Sequence, residues 1–310
     1  MKGTIIAFIA ISFFGLYIIF AKVLLQSVSP FVILVLTQLL AYIVLFFILK
    51  LKKEMKKLTH LAKRDFKIMY SVSLFSAVGG PLLFLLGLKL TSVTNTILIA
   101  KTEALLTSLI AVWILKEKSS VHQVAGALTM LFGIFIIITN NLTRGFSFNI
   151  GDILILGSAL SFAIGTIMFK KFMHHIAPEV IVTLRNLFGA TLLFVISLFF
   201  VDYSILYKAL NIQFVLSMLG LVVFTTITGQ YLWYLALEKT SATNVSLVGL
   251  CSPLIVIFYV VIFLKESLTA PQIIGGLFIM MGLILLEFHF NILPRKTHET
   301  HLKLKHWPHV

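Results

Sequence analysis

Residues 91–133 read TSVTNTILIAKTEALLTSLIAVWILKEKSSVHQVAGALTMLFG, and residues 240–282 read TSATNVSLVGLCSPLIVIFYVVIFLKESLTAPQIIGGLFIMMG. The two stretches align without a gap at a constant offset of 149 and share fourteen identities in forty-three positions. Many of these are polar or glycine: Thr91 with Thr240, Ser92 with Ser241, Thr94 with Thr243, Asn95 with Asn244, Lys116 with Lys265, Glu117 with Glu266, Gln123 with Gln272, Gly126 with Gly275 and Gly133 with Gly282. An apolar bias matches leucine with leucine, but it does not bring Thr-Ser-x-Thr-Asn, Leu-Lys-Glu, a glutamine and two glycines into one register. The chain therefore carries an internal repeat. The front of each half agrees more weakly, through Ser12-Phe13 with Ser161-Phe162, Lys22 with Lys171 and, one residue out of register, Pro30 with Pro178.

Composition identifies the solvent. The 310 residues are 59% hydrophobic and 12% charged, with a mean hydropathy of +1.06, whereas a soluble domain is roughly half apolar and about a quarter charged. Apolar runs close to the ~20 residues needed to cross ~30 Å of hydrocarbon fall at about 3–22, 30–50, 67–88, 92–115 and 122–140, and again at about 151–170, 178–201, 211–237, 243–264 and 271–289. They are continuous rather than alternating, which predicts helices and excludes barrel strands. The expected fold is an all-α membrane protein with ten transmembrane helices around a central cavity. Residues 1–148 form a first five-helix repeat, 149–290 a second, and 291–310 a basic, His-bearing tail. Because five is odd, the second repeat enters the membrane in the opposite orientation. The first span lacks a small-residue cleavage site and is soon followed by another, so it reads as a retained helix.

The formal charge of +14 would point to nucleic acid in a soluble protein. Here it lies in short loops: with the N-terminus inside, eighteen Lys and Arg fall on the inner side and five, Lys22, Lys89, Arg144, Lys208 and Lys265, on the outer. That bias predicts cytoplasmic termini in a prokaryotic plasma membrane, with lipid headgroups rather than nucleic acid as partner. The tail histidines His298, His301, His306 and His309 are irregularly spaced and read as solvated rather than metal-binding. One cysteine, Cys251, leaves no disulfide framework. No phosphate loop, His-Glu-x-x-His run or Gly-x-Ser-x-Gly elbow occurs, so neither an ATPase nor a hydrolase is expected, and no cofactor.

Residues that serve both halves alike should be structural. Glu117 and Glu266 are expected to cap helices at the membrane edge, and Gly126, Gly133, Gly275 and Gly282 to allow close helix contact. Function should lie where the halves differ. Lys101 and Glu103 sit near the middle of the fourth span and Arg185 about two turns into the seventh, opposite Leu250, Ser252 and, in the shifted register, Thr37. Charges at such depth face a cavity or pair with one another. Lys101 and Glu103 are two residues apart, about 200° around a helix, so they look in different directions. Arg185 or Lys101 is the candidate holder of an anionic group, and Glu103 the candidate for an amine or a coupling proton. Gln38, Ser161, Asn186, Gln230 and Tyr234 complete the candidate substrate site, with Thr226, Tyr231 and Trp233 beside them. Gly79-Gly80-Pro81 predicts a kink in the third span.

Leu115-Lys116-Glu117 with Gln123 and Gly126, Leu264-Lys265-Glu266 with Gln272 and Gly275, and Cys251-Ser252-Pro253-Leu254 together resemble the drug/metabolite transporter superfamily in its EamA-type branch. The resemblance covers nearly the whole chain and implies secondary transport of small metabolites, amino acids or their relatives favoured, by alternating access. One departure stands out: Lys101-Thr102-Glu103-Ala104 occupies the place that Leu250-Cys251-Ser252-Pro253 holds in the second repeat. A membrane enzyme acting on a lipid-linked substrate and a channel are the rival readings, and substrate, oligomeric state and coupling ion are not legible.

Overall fold

The computed structural model describes residues 2–53, 61, 63–115, 121–138, 149–173, 176, 178–204, 210–229, 232, 236, 248–249 and 251–292. Among them every regular element is helical. Helix α1 (Lys2–Leu24) is followed by α2 (Pro30–Leu51) and α3 (Lys63–Ser73). The last continues through a wide-turned π-helical stretch, Leu74–Gly79, into α4 (Gly80–Leu90). Next come α5 (Val93–Ala100), α6 (Thr102–Leu115), α7 (Val121–Ile138), α8 (Ile150–Phe172) and α9 (Pro178–Ser197). Helix α10 (Ile212–Gly220) runs into a second π-helical stretch, Leu221–Gly229, and α11 (Ser252–Tyr259) into a third, Val260–Leu264, before α12 (Ala270–Ile292). Among the described residues seven helices are long and apolar enough to cross a membrane, and three shorter apolar helices, Val124–Ile137, Ser252–Leu264 and Ala270–Leu285, accompany them.

Local chemistry sets where these helices start. Ser29 accepts the Val32 N–H and is followed by Pro30 at the first helical position; Ser92 accepts Asn95 N–H at 3.0 Å, Asn149 accepts Gly151 N–H at 2.8 Å and Asn211 accepts Phe214 N–H at 2.8 Å. Each is a short polar side chain satisfying an N–H that the helix itself leaves without a partner. Burial is inverted relative to a water-soluble domain. Trp113 is 88% exposed and Leu277 66%, while Thr94 and Thr96 are completely buried. An apolar exterior over a polar-bearing interior suits hydrocarbon solvent.

The helices pack in cross-chain pairs: α7 with α12, α2 with α9, α4 with α8, and α1 with Leu221–Gly229 and α11. Glycines make the closest of these. A Cβ on Gly133 would stand 2.5 Å from the Gly275 carbonyl oxygen, one on Gly275 would stand 2.6 Å from that of Gly133, and one on Gly282 2.6 Å from that of Gly126. Residue numbers rise along α7 as they fall along α12, so the pair is antiparallel. The glycines predicted for packing therefore pack on each other.

At the end of the bundle reached by Lys22, helix ends are stitched by polar side chains. The Lys22 ammonium donates to the carbonyls of Leu88 at 2.7 Å and Thr91 at 3.2 Å, at the negative end of α4. Across the turn, the Glu266 carboxylate accepts the Val93 and Thr94 N–H groups at 3.2 Å each, so it caps α5, consistent with its expected role. Gln272 accepts Thr269 N–H at 2.9 Å and donates to Asn95 Oδ1 at 2.8 Å and Ser92 Oγ at 3.2 Å. Asp152 accepts the Thr91 hydroxyl at 2.6 Å. Glu117 lies outside the described residues.

Candidate functional site

A cavity of about 610 Å³ opens in the interior of the bundle. Its wall is built from Phe14 and Tyr17 on α1; Leu34, Thr37 and Gln38 on α2; Ser76 and Ala77 in the first π-helical stretch; Pro81 and Phe84 on α4; Glu103 on α6; Phe162 on α8; Arg185 and Asn186 on α9; and Thr225 and Thr226 in the second π-helical stretch. Most of these fall into pairs by sequence position. Ser76 and Ala77 stand 149 residues before Thr225 and Thr226, while Thr37 and Gln38 stand 148 residues before Arg185 and Asn186. The two charged groups break that pairing: Arg185 stands opposite Thr37, and Glu103 opposite Ser252.

Wide turns explain how polar groups come to rest here. A π-helical turn replaces the i−4 hydrogen bond by a longer one and loosens nearby carbonyls. In and around Leu74–Gly79 those carbonyls take side-chain donors: Ala77 O receives Gln38 Nε2 at 2.6 Å, Phe75 O receives the Ser161 hydroxyl at 3.0 Å, and Gly80 O receives the Ser158 hydroxyl at 2.8 Å. Gly79 and Gly80 permit this approach of α8. A Cβ on Gly79 would stand 2.7 Å from Ser161 Oγ, and one on Gly80 2.8 Å from the Phe162 ring. The kink predicted at Gly79-Gly80-Pro81 is thus preceded by a wide turn, and its glycines serve helix contact.

Of the candidate site residues, Gln38, Glu103, Arg185 and Asn186 come together on the cavity wall, joined by Thr226. Among the described residues no hydrogen bond engages the Glu103 carboxylate. Asn186 donates to the Val182 carbonyl at 3.0 Å. Ser161 is turned to the Phe75 carbonyl and does not line the cavity. Neither does Lys101, whose ammonium donates to the Ser252 hydroxyl at 2.7 Å. This tie forms where the fourth span is interrupted: Lys101 N–H reaches Leu98 O and Ala104 N–H reaches Lys101 O, a tightened i−3 step between α5 and α6. A like step, Cys251 N–H to Val248 O, precedes α11. Gln230 and Tyr234, with Tyr231 and Trp233, lie outside the described residues, as does the histidine tail. The aromatic wall of Phe14, Tyr17, Phe84 and Phe162 was not singled out from the sequence, where 28 Phe residues give no contrast.

Among the described residues the arrangement offers a guanidinium, a carboxylate, amide and hydroxyl groups and aromatic rings in a space large enough for a small metabolite. The EamA-like transporter family model matches the chain twice, over residues 1–139 and 149–288. An uncharacterized transporter of Synechocystis sp. is 24% identical over 246 residues, 75% of this chain and 68% of that protein. An uncharacterized transporter of Methanothermobacter thermautotrophicus is 26% identical over 308 residues, covering 93% of this chain and 86% of the relative. A probable amino-acid metabolite efflux pump of Escherichia coli is 26% identical over 197 residues, 62% of this chain and 66% of the pump. A solved crystal structure matches with a TM-score of 0.63 at 19% identity, covering 92% of this chain and 96% of its own, a likeness of fold. An apolar helical bundle with an internal polar cavity, matched over nearly its whole length by one family model, belongs to the EamA-like transporter family and is a multi-pass membrane transporter.

Proposed function

We propose that the protein exports or exchanges amino acids or closely related zwitterions by alternating access, with Arg185 receiving the carboxylate and Glu103 the ammonium group. The observation that carries this reading is the presence of opposite charges, Arg185 and Glu103, on one cavity wall many of whose members come in sequence-related pairs. A guanidinium presents a planar fork matched to a carboxylate, and apolar surroundings strengthen both contacts. The aromatic rings would take the apolar part of the substrate.

Ten helices in two inverted five-helix repeats, 1–148 and 149–290, supply the conformational change. Supporting this are the double match to one family model, the overlap of the π-helical stretches Leu74–Gly79 and Leu221–Gly229 at the repeat offset, and the α7–α12 contact. In that contact Gly133 meets Gly275 and Gly126 meets Gly282, the reciprocal pattern that a two-fold axis generates. The charge bias of the loops supports cytoplasmic termini in a prokaryotic plasma membrane, with lipid headgroups against the basic side. In this reading Glu103 also takes the coupling proton, and Lys101 joins α5 to α11 instead of touching substrate.

Counterflow in liposomes tests it: purified protein preloaded with unlabelled amino acids should accumulate labelled ones. Arg185→Ala should lower transport of carboxylated substrates at least tenfold, and Glu103→Gln should abolish dependence on a proton gradient. Absence of uptake for every amino acid tried, with and without a proton gradient, would sink the proposal.

A further inference from the structure

Hydrogen bonds at the Lys22 end of the bundle join the two halves. Asp152 of α8 accepts the Thr91 hydroxyl at 2.6 Å, and both its oxygens face the Asn95 amide at 3.4 Å. Gln272 of α12 reaches Asn95 from the other side at 2.8 Å, and Glu266 holds the start of α5 through two N–H groups at 3.2 Å. Between these groups and the cavity, Leu85, Leu88 and Ile97 are buried. This end of the cavity is shut.

The sequence repeats the stitching residues. Thr240, Asn244, Glu117 and Gln123 stand 149 positions from Thr91, Asn95, Glu266 and Gln272 and share their identities. Asp152 does not recur: its counterpart at that offset is Gly3, which has no side chain.

We propose that the Thr91–Asn95–Asp152–Glu266–Gln272 set is the latch that closes the cavity at the Lys22 end, and that Asp152 tilts the resting balance toward closure there. The proposal rests on the alternating-access reading. Bonds made only while the Lys22 end is closed set the populations of the two conformations. The Asp152 contacts are of this kind. At roughly fivefold per net hydrogen bond, their loss moves the balance on the order of tenfold toward opening at the Lys22 end.

The test uses the full chain with Cys251→Ser and a reporter, Ser76→Cys, on the cavity wall, reconstituted in liposomes and labelled by a membrane-impermeant maleimide from either side. Adding Asp152→Ala should raise labelling through the Lys22 end roughly tenfold and lower labelling through the other end. Thr91→Val should act in the same direction by a smaller factor, and the double variant should match Asp152→Ala, because the Thr91 contact is already lost with the carboxylate. Should Asp152→Ala fail to fold, Thr91→Val carries the test by itself. Labelling unchanged in folded Thr91→Val and Asp152→Ala protein overturns the latch, as does a rise through both ends, which marks general loosening. Protein that transports no amino acid yet shifts its labelling as described refutes the substrate assignment and leaves the latch standing. Protein that transports normally with unshifted labelling refutes the latch alone.

Discussion

Lys265 is a non-glycine residue with a positive φ, 52°, at the end of the π-helical stretch Val260–Leu264. This left-handed step reverses the chain so that Glu266, the next residue, can cap α5. A side chain in that conformation costs roughly 1 kcal/mol relative to glycine, and the Lys265 side chain is exposed. Lys265→Gly should therefore leave the cap intact and raise the melting temperature in detergent by a few degrees. The Lys101–Ser252 contact makes a sharper comparison. Ser252→Ala leaves a half-buried ammonium short of an acceptor, which costs about 1–2 kcal/mol, whereas Lys101→Met removes the charge at similar volume and is expected to be much milder. Thermal unfolding of the two variants checks the order. The two-residue spacing already shows that Lys101 and Glu103 diverge. Which one faces the cavity was not legible, because both sides of the fourth span are apolar and nothing in one sequence marks the wall.

Among the elements, α7 and α12 show most directly how small residues set a helix contact. Gly133→Ala or Gly275→Ala would push a methyl group to about 2.5 Å from an opposing carbonyl, forcing the helices apart at a cost of about 1–3 kcal/mol. Gly276→Ala meets only the Leu98 side chain at 3.3 Å and is expected to be tolerated. Melting curves of the three variants should separate them cleanly. These glycines could be read in advance because they recur in register with polar neighbours. The π-helical stretches could not: they arise from packing among helices distant in sequence, and Leu74–Gly79 carries no local signal except the small residues at its end. At the Lys22 end the capping role of Glu266 was legible, because it recurs at a helix edge, whereas the caps at Ser92 and Asn149 were not singled out.

Across the whole molecule, the principal pairings, α2 with α9, α4 with α8, α7 with α12 and α1 with α11, all join residues before 149 to residues after it. Neither half makes its own core. Residues 1–148 and 149–310 expressed as separate chains in one cell should copurify and restore transport, while either alone should be degraded; a half that is stable by itself would contradict this. The division at residue 149 is read from one constant offset, since polar identities survive where apolar ones are uninformative. The cavity wall was legible in its charged and amide members and in Thr226, but not in its aromatic rings.

The wide turns flanking the cavity have a mechanical meaning. A π-helical turn holds about one residue more than an α-helical turn, so Leu74–Gly79 and Leu221–Gly229 each store slack in the backbone. Such a surplus can travel along a helix like a dislocation in a crystal, turning each residue it passes by about 100° about the axis without breaking the rod at both ends. Ser76, Ala77, Thr225 and Thr226 lie within these two stretches, so a one-residue migration would repaint the wall that the cargo touches while the ends of each helix stay anchored.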